Sequence, residues 1–380
     1  MPLTPTSDYT LLYKLRAIRL SYVLLIVALG VIGCFGMYSA ANGSMEPWAR
    51  PQAIRFAVCT VMMLGMALVD IRVYLKYAYL AYGGVLLLLV AVLVAGHTGK
   101  GAERWLNVGP LQLQPSELMK ITLTLALARY FQGVAIEDIG RLRVLLIPLG
   151  LIFLPVLLVL KEPNLGTSMI LVALGGTAFF LAGVRLWKFG LVLGSVLGAV
   201  PIIWQFMHDY QKQRVTTFLN PESDPRGAGY HIMQSKIALG SGGLWGKGFL
   251  GGTQSQLNFL PEKHTDFIFT LLAEEWGMVG ALALLGLYLL VVAYGFVIGL
   301  SCRNQFGRIV AMTLSVNLFL YVFINMAMVM GLIPVVGVPL ALISYGGTSM
   351  LATMLGFGII LSVLVHREVR LGRRWPYDVI

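Results

Sequence analysis

Asp266 stands where a long polar stretch ends and the apolar run Phe267-Ile-Phe-Thr-Leu-Leu272 begins. Carboxylates at such a border lose part of their hydration, and a desolvated carboxylate accepts a proton more readily, which suits general-base work. The competing role is a helix N-cap, for which aspartate is a preferred residue. Glu117 and Lys120 form a second polar pair, three residues apart and so on one helical face at the edge of another apolar run. Such a pair is either an ion pair or half of a polar site. Just before it, Pro115 and Ser116 read as a helix start, with Ser116 as cap and Glu117 at the positive end of the helix dipole. Glu274 and Glu275 follow Asp266 inside its apolar run, with Glu274 ~12 Å deeper on the same helical face. Carboxylates at that depth must be paired or face water.

Cations accompany these acids. Arg214, Lys236, Lys247 and Lys263 lie in the polar stretch 209–265, and Arg104 lies in the polar stretch 97–116. With Arg50 and Lys120 they offer donors to an anionic ligand; the alternative is ordinary solvated loop charge. The glycines of Gly240-Ser-Gly-Gly243, Gly246-Lys-Gly248 and Gly251-Gly252 permit close backbone approach to an anion. They match neither dinucleotide nor P-loop spacing, so nucleotide binding is unsupported. Cys34, Cys59 and Cys302 lack metal-ligand spacing and read as packing residues.

What must position these groups is a membrane-embedded scaffold. The 380 residues are 58% hydrophobic and only 12% charged, far from soluble composition. Apolar runs long enough to cross ~30 Å of hydrocarbon as helix recur throughout. The expected fold is an all-α integral membrane protein with about ten transmembrane helices, near 20–41, 52–69, 73–96, 117–134, 143–160, 166–183, 187–208, 266–300, 308–332 and 340–365. The first run is too long for a signal peptide and further spans follow at once, so it reads as a retained helix. The eighth is too long for one perpendicular crossing and reads as a tilted helix with an extension. The whole chain reads as one polytopic domain.

An even count puts both termini on one side. Most basic residues gather there, including Lys14, Arg16, Arg19, Arg72, Lys76, Arg303, Arg308 and the cluster from Arg367 to Arg374. The positive-inside rule then makes residues 1–19 and 366–380 cytoplasmic and turns loops 97–116 and 209–265 outward. The net charge of +11 is explained by anionic headgroups for the inward cations. No basic stripe with interleaved aromatics suggests nucleic acid. Loop 209–265 mixes glycines with Tyr230, Trp245 and apolar residues, so it reads as an ordered functional loop with short interfacial helices. The Pro- and Gly-rich stretch from Gly331 to Ser349 reads as a re-entrant turn closing the site from beneath, since non-helical backbone at that depth needs protein or water around it.

Taken together, Arg104-Trp-Leu106, Gln114-Pro-Ser-Glu117 with Lys120, Gly229-Tyr-His231, Gln234-Ser-Lys236, the glycine clusters, Leu260-Pro-Glu-Lys-His-Thr-Asp-Phe-Ile-Phe269, Ala273-Glu-Glu275 and Ser344-Tyr-Gly-Gly347 resemble the SEDS family of shape, elongation, division and sporulation proteins. The resemblance runs along nearly the whole chain. Pro221-Glu-Ser-Asp-Pro225 and Gly251-Gly-Thr-Gln-Ser-Gln256 are more similar to its elongation branch than to its division branch. It implies a peptidoglycan glycosyltransferase of the plasma membrane that polymerises lipid II for cell elongation and rod shape, working with a class B penicillin-binding protein. It also implies that Asp266 is catalytic. The substrate-binding set expected around it is Arg50, Arg104, Glu117, Lys120, Arg214, Gln234, Lys236, Lys247, Lys263 and His264. Asn164 departs from the family pattern, which usually has aspartate in Glu162-Pro-Asn-Leu-Gly-Thr167, so no catalytic or ion-pairing role is expected there. Ala341 and Thr348 replace a common proline and serine.

Inverting an α-linked sugar diphosphate requires one base and help for an anionic leaving group. Asp266 would take the acceptor proton and the cations, or a divalent ion, would meet the diphosphate; no cofactor is obligatory. The rival from another class is a lipid II flippase using the same charges, although the matched broken helices common in transporters are seen in one half only. A noncatalytic scaffold would leave the polar clusters unexplained.

Overall fold

The computed structural model describes residues 10–95, 97–99, 102–108, 111–162, 164–207, 209–224, 227–257, 259 and 262–372. The chain starts with a short helix, α1 (Leu11–Ala17), and continues through α2 (Leu20–Ala40), α3 (Ala49–Leu68) and α4 (Ile71–Ala95). A small antiparallel sheet, β1 (His97–Gly99), β2 (Ala102–Val108) and β3 (Leu111–Leu113), follows in sequence order. Next come α5 (Pro115–Gly133), α6 (Leu142–Lys161), α7 (Leu165–Ala182) and α8 (Leu186–Phe206). The long polar stretch folds as α9 (Asp209–Leu219), α10 (Ala228–Ser241) and α11 (Thr253–Gln256), before α12 (Ile268–Ser301), α13 (Gln305–Val329) and α14 (Gly347–Val365).

Each of the ten expected spans falls on a long helix. Among the described residues, eight helices are long and apolar enough to cross a membrane. The other two are α5, which carries Glu117, Lys120 and Arg129, and α8, whose apolar run ends at Ile202. All but one of the span boundaries lie within three residues of expectation. The last span starts at Gly347 rather than 340, because 340–346 forms a buried turn. The eighth starts after Asp266, at Ile268, and is interrupted at Gly277 (φ 67°, ψ −168°). The sheet was not foreseen; β1 and β3, three residues each, are too short to show alternation.

Among the described residues, side-chain capping fixes two helix starts. Asn164 Oδ1 accepts from Thr167 N at 3.3 Å and starts α7, so the amide at this position still does an aspartate's capping work. Asn304 caps α13 through Gly307 N at 2.7 Å. Ser116, expected as a cap, instead lies within the first turn of α5, where Gln114 is the N-cap and Pro115 occupies N1. Small residues bring helices together: a Cβ on Gly295 of α12 would meet Ser315 of α13, and one on Gly299 would meet Met312.

The two ends of the helix array differ in character. At one end Lys14 Nζ donates to Leu68 O (2.9 Å), Ser362 Oγ to Val69 O (2.6 Å), Gln132 Nε2 to Leu371 O (3.1 Å) and Asn304 Nδ2 to Val369 O (3.0 Å). Both ends of the described chain meet there, with Lys14, Arg303 and Arg367 among the cations. His366 is buried there, and loss of hydration holds its imidazole below the ordinary histidine range. Arg373 and Arg374 of the C-terminal cluster lie outside the described residues. The opposite end carries the sheet, α9 to α11, the turn 262–267 and the segment 331–346.

At the break in α12, Gly277 and Gly246 pass backbone to backbone. A Cβ on Gly277 would lie 2.3 Å from Gly246 N, and Gly277 has φ 67°. Met278 N and Val279 N bond to Gly243 O (2.9 Å) and Leu244 O (3.1 Å), stitching the loop to the helix. Gly277→Ala must therefore shift backbone as well as adopt a strained conformation. The expected outcome is a loss of at least about 2 kcal/mol of stability, seen as a lower unfolding midpoint in detergent.

Candidate active site

Asp266 sits half-buried in the turn 262–267 that leads into α12. The N-cap position of α12 is taken by Phe267, so Asp266 stands one residue before it. Its position is held through the backbone. Asn325, fully buried on α13, donates through Nδ2 to Asp266 O (2.9 Å) and Val338 O (2.8 Å). One amide thus joins the turn to the segment 331–346, which presses against it elsewhere too. Ser344 Oγ donates to Thr265 O (2.6 Å) and Tyr345 N to His264 O (2.8 Å). Gln52 of α3 reaches the same segment through Leu342 O (3.4 Å) and Ser344 O (3.3 Å). At Gly337 (φ 71°) this segment comes close to the carboxylate, with an added Cβ only 3.5 Å from Asp266 Oδ2.

Aromatic rings line the turn. His264 stacks on Trp48 at 4.4 Å between centroids and 8° between planes, and meets Tyr345 edge-on at 6.2 Å. Arg55 lies over the other ring of this series, 4.8 Å from the Tyr345 centroid. Lys263 is 4% exposed, and loss of hydration lowers its ammonium below the ordinary lysine range.

Glu117, Lys120 and Tyr321 form a closed network beside this turn. Lys120 Nζ donates to Glu117 Oε1 at 2.6 Å and to the Tyr321 hydroxyl, which itself donates to Glu117 Oε2. Lys120 is 1% exposed. Of the two roles open to this pair, the geometry is that of a buried ion pair, with Lys120 engaged by protein. Tyr321 precedes Asn325 by four residues on α13, so one helical face carries both the ion-pair network and the anchor of Asp266.

The remaining expected ligands are more scattered. Lys247 is committed to Glu274 at 2.8 Å, and Glu274 also accepts from Thr253 Oγ1 (3.2 Å) and Gln254 N (3.0 Å). Because Asp266 precedes α12, Glu274 does not share a helical face with it; its work is to hold the loop. Glu275 accepts from Ser39 Oγ of α2 in the same manner. Arg50 is exposed and faces Glu46 at 3.5 Å. Arg214 is half-buried on α9 and Gln234 half-buried on α10, while Lys236 is exposed and crosses Gly331. Ser235 between them fixes α10 to Thr270 (2.8 Å) and Val329 O (2.8 Å). Arg104 lies in β2, but its side chain is outside the described residues. Among the described residues no three His, Cys, Asp or Glu groups gather as a metal site.

Sequence reasoning missed Trp48, Gln52, Arg55, Tyr321, Asn325 and Tyr345 as site residues. Gln52, Arg55 and Asn325 carried a signal, being polar groups inside apolar runs where desolvation is costly. The aromatic rings carried none, since such residues are common in spans.

The sequence pattern of the FtsW, RodA and SpoVE proteins, described as cell cycle protein, matches residues 16–369. Peptidoglycan glycosyltransferase MrdB of Escherichia coli K12 is 48% identical over 353 residues, covering 91% of this chain and 93% of that protein. The probable peptidoglycan glycosyltransferase FtsW of Idiomarina loihiensis is 36% identical, covering 85% and 80%. Among solved structures, a peptidoglycan synthase complex coordinating polymerization and crosslinking contains a chain with TM-score 0.80 and 31% identity, covering 92% of this chain and 98% of that one. The rod shape determining protein RodA of Thermus thermophilus gives TM-score 0.71 at 29% identity, covering 93% and 98%.

Proposed function

Because the chain belongs to the FtsW, RodA and SpoVE family of cell cycle proteins, we propose that it is a multi-pass peptidoglycan glycosyltransferase of the elongation type, with Asp266 as its general base. The observation that carries the reading is the turn 262–267. It presents a half-buried carboxylate one residue before the N-cap of α12, on a backbone fixed by Asn325 and Ser344.

The acceptor sugar 4-hydroxyl attacks the donor anomeric carbon, and its proton passes to the Asp266 carboxylate. The bond from that carbon to the diphosphate oxygen breaks, and the polyprenyl diphosphate leaves with the electron pair. One displacement turns the α-linkage into a β-linkage. Charge building on the leaving group needs fixed cations nearby. Lys263, Lys236, Arg214 and Arg104 remain the candidate cations from the expected set. Lys120 holds Glu117 and shapes the site from within, and Lys247 and Arg50 serve the loop end through Glu274 and Glu46. A divalent ion, where used, would take ligands from the diphosphate. The loop end faces outward and the cationic end lies on the cytoplasmic side of the inner membrane, a reading supported by the distribution of Lys and Arg. A class B penicillin-binding protein is the partner that crosslinks the emerging strand.

The test is purified protein with that partner, free of any other glycosyltransferase, given lipid II in detergent and in liposomes. β-Linked glycan strands are expected. Translocated lipid II without polymer would make the chain a flippase instead.

A further inference from the structure

Arg55 lies within an apolar helix, two turns into α3, on the side of the helix that carries buried Gln52, Phe56 and Cys59. Its neighbours Ile54 and Val58 point outward. The guanidinium is half-buried over Tyr345, and a Cβ on Gly347 would lie 3.7 Å from its Nε. Among the described residues it makes no hydrogen bond or ion pair. A guanidinium in a membrane-crossing helix is costly unless an anion or polar group meets it. Here the ring orients one face of the guanidinium and leaves its edge of N–H donors without acceptors. That edge is the geometry that binds phosphate oxygens in a fork.

The surroundings place this donor at the site. Tyr345 N bonds to His264 O, two residues before Asp266, and Gln52, one turn before Arg55, holds the carbonyls of Leu342 and Ser344. Direct contacts therefore join Arg55, Tyr345 and the turn 262–267. We propose that Arg55 is a further substrate-binding residue, donating to a diphosphate oxygen of the polyprenyl-linked sugar; the inference rests on the glycosyltransferase reading for the identity of the anion. The cation–π contact with Tyr345 positions the guanidinium and leaves its N–H edge free.

The test uses the full chain with its partner and compares wild type, Arg55→Gln, Arg55→Lys and Tyr345→Leu. Lipid II turnover is read as KM and kcat. Binding of polyprenyl diphosphate to the protein in nanodiscs is read separately, with polyprenyl monophosphate and neutral polyprenol as comparators. Arg55→Gln is expected to raise both KM and the diphosphate Kd about tenfold, the loss of one charge-assisted bond, with kcat within about threefold and polyprenol binding unchanged. Arg55→Lys recovers part of the loss, and Tyr345→Leu shows a smaller loss of the same kind. Should Arg55→Gln fail to fold, Arg55→Lys and Tyr345→Leu carry the comparison. Unchanged KM and Kd in folded variants beside an active wild type would overturn the role of Arg55. A wild type that makes no strands but loses diphosphate binding on Arg55→Gln would keep the anion site and overturn the polymerase reading.

Discussion

Asp266→Asn is expected to fold, to bind lipid II and to lose polymerisation by about 10²- to 10⁴-fold, the usual contribution of a positioned base. Asparagine has nearly the same shape, so packing in the turn is retained. The tie from Asn325 to residue 266 runs through the backbone carbonyl and survives the change. The N-cap position of α12 is untouched, because Phe267 holds it. What disappears is the ability to accept the acceptor hydroxyl's proton. Asp266→Glu keeps the carboxylate but displaces it by about 1 Å, which is expected to cost up to about 10²-fold. The pair separates loss of the base from loss of its placement, and the check is strand synthesis by each variant at matched folded protein.

Lys120→Met is expected to destabilise the protein by about 3–5 kcal/mol, because it leaves the Glu117 carboxylate buried without its cation. Glu117 is 5% exposed and Tyr321 2% exposed, so water cannot replace the lost partner. The double variant Glu117→Gln with Lys120→Met removes both charges and is expected to regain most of that loss. Thermal unfolding of the three variants in detergent is the measurement. Activity is expected to fall in Lys120→Met as well, since Tyr321 lies one turn from Asn325 and a disturbed Tyr321 reaches the Asp266 turn along α13.

The span count and the polar loop were legible because insertion into a bilayer demands long apolar runs, a signal that local packing does not blur. Asp266 was legible as a candidate from its place at the border, but its position one residue before the N-cap was not. Whether an aspartate caps depends on where the first helical turn closes, and here it closes one residue later, at Phe267. Glu117 and Lys120 could be placed on one face by spacing, yet the choice between ion pair and open site turned on Tyr321, two hundred residues away in the chain. Glu274 looked like a group deeper along the same helix as Asp266. Long-range contacts with Lys247 and Thr253, which no local pattern encodes, give it the different task of holding the loop. Arg55 lies inside the second span, α3, where a cation gives no local hint of the ring that will receive it.

The most direct test of Asp266 as the base is the rate of the first glycosidic bond at saturating lipid II, measured for wild type and Asp266→Asn with the same class B partner and with lipid II binding followed in parallel. The account predicts strands from wild type and a bond-forming rate at least about 100-fold lower in a variant that still binds substrate. Bond formation by folded Asp266→Asn at close to the wild-type rate would contradict it and move the base elsewhere.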